Sequence, residues 1–299
     1  MDTCGKCRHG LRLGEVQLNT RTVMEVFSHR KKNKLKAPNP QKEMSFLEHL
    51  EELRWTILRS FIYIVVGAII VFMMKGFVFE NIIFAHLKEG FPTYKFFCAL
   101  SDRMCVHPPK LELMTRQMGE QFFVHIKVSV VLGFIFAFPF VFREIWKFVA
   151  PGLKENEKKV TSSIIAICSG LFFLGVMFGY FVLAPFAIKF FAEYTVGDFA
   201  KTAPTLDSYV SFLTMLTLPV GIVFELPVVA YFLAKIGIIS SSLMKKYRKH
   251  AIIFILIIAA VITPPDVFTQ VLIGIPIFLI YEVSIYVVKR VEKKNKEND

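Results

Sequence analysis

The stretch that decides the fold class is Ala251–Tyr281, AIIFILIIAAVITPPDVFTQVLIGIPIFLIY, in which Asp266 is the only charged residue. Two apolar runs flank the four residues Thr263-Pro264-Pro265-Asp266. A helix needs about 20 mostly apolar residues to cross the hydrocarbon core of a bilayer, so each run is close to the shortest segment that can cross. The stretch therefore predicts a membrane hairpin of two short helices.

The rest of the chain repeats this pattern of long apolar runs between short charged blocks. Of its 299 residues, 54% are hydrophobic and 20% are charged, whereas an ordinary soluble domain has roughly 25% charged residues. This composition excludes a disordered chain and argues strongly against a soluble globule. We predict an all-α integral membrane protein with six transmembrane helices, at Ser60–Met74, Val128–Phe142, Val160–Ile188, Ser208–Phe224, Ala251–Pro265 and Val267–Tyr281.

The lysine and arginine residues indicate how the chain is oriented in the membrane. Apart from Arg59, Lys75 and Lys127, which lie at the ends of spans, the segments outside the six spans hold 26 Lys and Arg on the side of the two termini and 7 on the other side. Because cytoplasmic loops carry the excess of positive charge, we expect both termini in the cytoplasm, or in the stroma of a plastid. Because this excess of Lys and Arg in the cytoplasmic segments accounts for the net charge of +12, we do not expect nucleic acid as a partner.

The chain divides by composition into three parts. Residues 1–43 are predicted to be a disordered basic cytoplasmic extension without a secretory signal peptide, 44–290 a membrane domain, and 291–299 a charged tail. Met44 is an alternative start for the membrane domain. The cations between Arg30 and Lys36 either contact anionic membrane lipid or form part of a solvated tail.

The cysteines predict no metal site. Cys4, Cys7 and His9 supply three ligands, one fewer than a closed zinc site needs. Cys98 and Cys105 both lie in the long loop on the outer side, where an oxidising compartment would permit a disulfide between them. No cofactor is expected either.

Glu225 is the most informative polar residue because it interrupts an apolar run between Pro219 and Pro227. A charge near the bilayer centre is costly and usually faces a cavity or a partner. Glu225 is thus either a functional acid facing a polar groove or a structural one satisfied by neighbouring helices. Gln270, one turn after Asp266, would likewise point into lipid unless it meets a partner.

Two cytoplasmic stretches combine acids with apolar residues. Met44–Arg54 reads as an amphipathic interfacial helix that leads into the first span, with Ser45 and Glu48 as a capping box. The loop Arg143–Lys159 is acidic and aromatic. Such acids either form a solvated face or pair with guanidinium groups of a ligand. Phosphate-loop, metalloprotease and serine-nucleophile motifs are absent from the sequence, so an enzyme is not expected.

Four blocks of this sequence resemble the TatC family, the multispanning subunit of the twin-arginine protein translocase. They occur in order at the family's spacing, between about Met44 and Arg290: Phe46–Arg54, Phe142–Leu153, Phe224–Pro227 and Thr263–Gln270. The resemblance implies a glove-shaped six-helix receptor that recognises twin-arginine signal peptides of folded cargo. It also implies TatA-type and TatB-type single-span partners, a homo-oligomer within the complex, transport driven by the proton-motive force, and a location in the bacterial inner membrane rather than the thylakoid.

The resemblance also assigns roles to individual residues. It implies that the signal peptide is bound by Glu52, Arg54, Phe148 and Glu157, and that a groove for partner subunits contains Glu225, Asp266 and Gln270. The chain departs from the family where Ala85-His86-Leu87 stands in place of the more usual Ala-Pro-Leu. The rival interpretations are a proton-coupled small-molecule carrier that uses Glu225 as its proton site and, third, a membrane-embedded enzyme.

Overall fold

The computed structural model describes residues 46–100, 107–109, 111–149, 161–194, 203–262 and 267–298. The chain divides into two units, Met1–His49 and Leu50–Asp299, and the description that follows concerns the second. Several residues singled out in the sequence lie outside the described residues, namely Cys4, Cys7, His9, Cys105, Glu157 and Asp266.

The described secondary structure is helical, apart from one isolated β-bridge between Met114 and Thr205. The first long helix, Phe46–Met73, is followed by the single turn Lys75–Val78, a π-helical turn Phe79–Ile83 and a 3₁₀ turn Phe84–Leu87, and a second π-helical turn spans Gly179–Leu183. The main helices are α1 Phe46–Met73, α2 Pro92–Leu100, α3 Glu120–Val149, α4 Thr161–Phe178, α5 Ala184–Glu193, α6 Leu206–Val223, α7 Leu226–Lys235, α8 Ser241–Lys246, α9 Arg248–Ile262 and α10 Val267–Asn298.

Within the described residues, five helical stretches are long and apolar enough to cross a membrane. They coincide with five of the six predicted spans: His49–Met73, Glu120–Val149, Ser163–Glu193, Leu206–Lys235 and Thr269–Lys293. The other predicted span falls on α9, which has 15 residues. At about 1.5 Å per residue, α9 extends over roughly 22 Å, less than the hydrocarbon thickness of an ordinary bilayer.

The prediction of a short sixth helix is wrong. Helix α10 has 32 residues and continues through the segment predicted to be a separate charged tail. Because Lys, Glu and Arg are good helix formers and neither Gly nor Pro follows Pro276, nothing ends the helix where its apolar part ends. Contacts from α8 also hold this polar part, since the backbone N–H of Ser241 donates to Glu292 at 2.9 Å.

Helices α1 and α3 run in opposite directions and make a few close contacts between Arg59 and Phe72 of α1. Their backbones meet at two glycines, where a Cβ atom on Gly67 would lie 2.8 Å from the carbonyl oxygen of Gly133. On either side of this crossing, the rings of Tyr63 and Phe140 stack at 5.7 Å and those of Phe72 and His125 at 4.0 Å. Small residues at the crossing permit this close packing, as is typical of membrane helices.

The largest group of buried apolar residues lies between α3, α5, α6, α9 and α10 and includes the fully buried side chains of Leu216 and Val220. A second, smaller group joins α3 to α4, where the rings of Phe138 and Phe172 stack 3.6 Å apart. Helices α4 and α6 approach closely at Gly175, because a Cβ there would lie 2.9 Å from the Cα of Gly221. The backbones of α4 and α6 are therefore in close contact at this level of the bundle.

A network of hydrogen bonds holds the π and 3₁₀ turns after α1 against the bundle. The Tyr180 hydroxyl donates to the carbonyl of Ile82 at 2.6 Å, and the Tyr209 hydroxyl donates to the carbonyl of Ile83 at 2.9 Å. Tyr94 donates to the carbonyl of His86 at 3.0 Å, and burial raises the pKa of Tyr94 to about 12. This end of the bundle is therefore built from fixed side chains although its backbone is irregular.

Candidate functional site

The predicted signal-binding residues of α1 lie near its amino-terminal end. Glu52 is half-buried and Arg54 is exposed. Residues 4 and 7 positions apart share one face of a helix, so Glu52 lies on the same face as the buried Thr56 and as Arg59. Arg59 in turn donates to the Glu144 carboxylate of α3 at 3.5 Å. The face of α1 that carries Glu52 therefore points toward the carboxyl-terminal end of α3.

Glu144 is a buried acid that the sequence did not single out. Its side chain is 4% exposed and pairs with Lys147 on its own helix as well as with Arg59. The predicted residue Phe148 follows one turn later and is half-buried. Because α1 and α3 run in opposite directions, Glu52 and Phe148 both lie beyond the Arg59–Glu144 contact, at the same end of the helix pair. Glu157 follows outside the described residues.

The sequence contains one signal for Glu144, which is its spacing from Lys147. The two residues are three positions apart, which places them on one helical face. Burial of Glu144 depends on the neighbouring helix, and the adjacent Ile145 and Lys147 are exposed, so the sequence alone did not distinguish it from a solvated acid.

Glu225 lies at the break between α6 and α7, where the backbone turns out of one helix and into the next. Its side chain is buried, and neither carboxylate oxygen has a hydrogen-bond partner among the described residues. Its polar neighbours are the Cys168 thiol and the backbone amide of Phe172 on α4. A buried carboxylate without a partner is costly, which makes Glu225 the most unusual polar group of the described bundle.

Gln270 has a contact within the chain. Its side-chain amide donates to the Leu256 carbonyl at 3.0 Å and so joins α10 to α9. One N–H group of Gln270 is therefore satisfied without a second protein, and its role in partner binding stays a prediction. Asp266, the other predicted residue of this hairpin, lies outside the described residues.

A second polar cluster joins the amino-terminal ends of α3 and α6. The Glu120 carboxylate accepts hydrogen bonds from the backbone amides of Arg116 at 2.7 Å and Asp207 at 3.0 Å. Lys127 donates to Asp207 and, at 3.0 Å, to the hydroxyl of Ser211. Every charged member of this cluster is paired, so we interpret it as a structural link between the two helices.

The cysteine residues named in the metal and disulfide predictions lie partly outside the described residues. Groups of three or more potential ligands that could hold a metal ion are not found within the described part of the chain. Cys98 takes part in a disulfide, but Cys105 lies outside the described residues, so the pairing stays a prediction. Cys168 is a free, buried thiol.

Long apolar helices with buried acids define a multispanning membrane protein, and comparison with known proteins assigns it to protein transport. The family model described as Sec-independent protein translocase protein (TatC) matches residues 48–276. The chain belongs to the TatC family, as the four sequence blocks indicated, and is a component of the twin-arginine protein translocase.

Relatives from distant bacteria share this similarity. The chain is 38% identical over 263 residues to the TatC protein of Blattabacterium from Periplaneta americana, which covers 86% of this chain and 99% of the relative. It is 37% identical over 251 residues to TatC of Helicobacter pylori strain 26695, covering 84% of this chain and 90% of the relative. A crystal structure of the twin-arginine translocase receptor TatC matches with a TM-score of 0.68 and 34% identity, covering 82% of this chain and all of that chain.

Proposed function

We propose that this protein is the receptor and core subunit of a twin-arginine translocation complex in the bacterial inner membrane. In this proposal six helices cross the membrane, both termini are cytoplasmic, and the protein binds the twin-arginine signal peptides of folded cargo. The observation that carries the proposal is the contact of Arg59 with Glu144 at 3.5 Å. It supports a site in which Glu52 and Phe148 lie at one end of the α1–α3 pair.

The chemistry of this end suits two arginine side chains. A guanidinium group is planar, always charged, and binds a carboxylate through two parallel hydrogen bonds, which an ammonium group cannot do. In this proposal Glu52 and Glu157 supply the two carboxylates, Arg54 belongs to the same segment of α1 as Glu52, and Phe148 offers an aromatic face to the signal peptide. Glu144 is already paired with Arg59 and Lys147, so its role is to hold α1 against α3.

The experiment is photocrosslinking of a twin-arginine signal peptide to the full-length protein. Glu52→Gln and Glu157→Ala should each reduce the crosslinked product at least tenfold, and a leader with Lys-Lys in place of Arg-Arg should crosslink poorly to the unmodified protein. Glu51→Gln is the matched control, because Glu51 is an exposed acid on a different face of the same helix. The proposal is contradicted if the Arg-Arg and Lys-Lys leaders crosslink equally to the unmodified protein. It is also contradicted if all variants crosslink the signal peptide as well as the unmodified protein does.

The proposal includes partner subunits. Glu225, Asp266 and Gln270 are assigned to a groove for TatA-type and TatB-type single-span helices, and several copies of the chain assemble within the complex. The support for this assignment is that the buried Glu225 carboxylate has only the Cys168 thiol and the Phe172 amide as polar neighbours among the described residues, and neither makes a hydrogen bond of regular geometry to it. A polar side chain of a partner helix would supply the missing hydrogen bond. The complex uses the proton-motive force rather than nucleotide hydrolysis.

A further inference from the structure

An open cavity of about 580 Å³ lies between α3, α4 and α6, beneath the irregular turns that follow α1. Its volume falls within the range of about 300–1,000 Å³ that is typical of small-molecule sites. Its walls are mainly apolar, with Leu132 and Phe136 on α3, Met177 on α4 and Leu213 on α6. Among the described residues of the proposed receptor site, Glu52, Phe148, Glu225 and Gln270 do not line it.

Two polar side chains in the wall of the cavity already donate to the protein backbone. Tyr180 donates to the Ile82 carbonyl at 2.6 Å, and Thr217 donates to the Leu213 carbonyl at 3.0 Å. An extended peptide in this cavity would leave its own backbone N–H and C=O groups without partners, which is costly in an apolar medium. A hydrocarbon chain carries no such groups and meets no such cost.

The mouth of the cavity carries one fixed cation and one free anion. The ammonium group of Lys88 donates to the backbone carbonyl of Glu80 at 2.7 Å, which holds it at the rim. The Glu80 side chain is exposed, and its carboxylate has no ion-pair partner within the described part of the chain. Opposite charges at one rim complement a headgroup that itself carries a phosphate and an ammonium group.

We propose that this cavity binds a phospholipid with a phosphoethanolamine headgroup. One acyl chain occupies the apolar cavity, the lipid phosphate pairs with Lys88, and the lipid ammonium pairs with Glu80. Because the bilayer interior is as apolar as the cavity, the acyl chain alone gains little by entering. The two headgroup contacts therefore determine which lipid is retained.

The test uses the full-length protein in nanodiscs that contain a trace of phosphatidylethanolamine with a photoreactive group at the end of one acyl chain. Labelled residues are mapped by peptide mass spectrometry. We expect label on Leu132, Phe136 and Met177 at a yield at least threefold above that on lipid-facing residues elsewhere, such as Phe254 and Leu279. Met177→Trp, which fills the cavity, should abolish the cavity label.

Headgroup variants separate the two proposed contacts. Lys88→Gln should reduce cavity labelling at least threefold with both phosphatidylethanolamine and phosphatidylglycerol probes, because both carry a phosphate. Glu80→Gln should reduce it with the phosphatidylethanolamine probe alone, because phosphatidylglycerol lacks the ammonium group. Lys95→Gln and Glu89→Gln are matched controls, since both residues are exposed and do not line this cavity.

Three results would overturn the proposal. The first is label spread evenly over all lipid-facing residues, and the second is cavity label that neither rim variant changes. The third is labelling of the cavity residues by a photoreactive signal peptide instead of by the lipid probe. The lipid-labelling readouts do not depend on signal binding at Glu52, so their failure leaves the receptor proposal standing.

Discussion

The backbones of Gly67 and Gly133 are in direct contact where α1 crosses α3. A Cβ atom on Gly133 would lie 2.4 Å from the amide nitrogen of Ala68, and one on Gly67 would lie 2.8 Å from the Gly133 carbonyl oxygen. Real Cβ atoms do not approach backbone atoms so closely, and backbone cannot move aside as a flexible side chain can. The crossing therefore tolerates no side chain at either position, and it sets the separation of two helices that are otherwise joined by few contacts.

Gly133→Ala should destabilise the protein by about 1–3 kcal/mol, the usual cost of overpacking a tight interface. Thermal unfolding in detergent would measure the effect as a lower Tm. Gly170→Ala is the control, because Gly170 lies on the exposed side of α4 with open space around the position of its Cβ. There the better helix propensity of Ala should leave the Tm unchanged or slightly higher. Equal effects of the two substitutions would show that the crossing is looser than described.

The Arg59–Glu144 pair should contribute about 1 kcal/mol to stability, since Arg59 remains about half exposed and its charge is screened by solvent. A double-mutant cycle with Arg59→Gln and Glu144→Gln measures this coupling from unfolding free energies. Lys147→Gln is the control, because it removes the other partner of Glu144 and leaves the contact between α1 and α3 intact. If Arg59→Gln lowers stability equally with and without Glu144, the two side chains do not interact.

His86 should make stability depend on pH. Its Nε2 donates to the Tyr180 carbonyl at 2.9 Å, and burial lowers the pKa of His86 to about 4, against about 6.5 in the unfolded chain. The unfolded chain therefore binds a proton more readily at pH values below about 6.5, and the folded form loses stability as the pH falls from there toward 4. The loss between pH 7 and pH 5 should be about 2 kcal/mol.

A variant isolates this contribution from that of other titrating groups. His86→Gln keeps an N–H donor for the Tyr180 carbonyl but does not titrate, so its unfolding free energy should fall by about 2 kcal/mol less than that of the unmodified protein over the same pH interval. Chemical unfolding at pH 7, 6 and 5 gives the comparison. Parallel pH profiles for the two proteins would mean that His86 is accessible to protons in the folded state.

Of the six spans predicted from hydropathy, five coincide with helices long enough to cross a membrane, because each is a long apolar run whose helical character does not depend on its neighbours. The length of α10 was not predicted, because its last turns are polar and are held by contacts such as that between Ser241 and Glu292. The contact of Gly67 with Gly133 was equally inaccessible, since a glycine in a helix carries no signal of the helix that it will meet. Contacts between distant segments depend on the register of packing, which one sequence does not display.

The candidate site was predicted only in part, again because one sequence does not display the contacts between distant segments. Glu225 was recognisable because a charge within an apolar run is rare and costly. Glu144 was not, because it stands among charged residues at the end of its run and is buried by helices that are distant in sequence. Sequence thus identified the acid whose immediate neighbours are apolar and missed the acid whose burial depends on packing.

These two acids should respond in opposite ways to replacement by leucine, which is apolar and similar in volume. Glu144→Leu should lower the Tm because Arg59 and Lys147 each lose a charged partner. Glu225→Leu should leave the Tm unchanged or raise it, because it removes a buried carboxylate that has no hydrogen-bond partner in the described residues. Because Glu225 is assigned to the groove for a partner helix, the same substitution should also weaken co-purification of single-span subunits about tenfold while signal-peptide crosslinking stays intact. A Tm loss for Glu225→Leu as large as that for Glu144→Leu would assign Glu225 a structural role and contradict the proposed groove, since an acid retained only for binding contributes nothing to the stability of the isolated bundle.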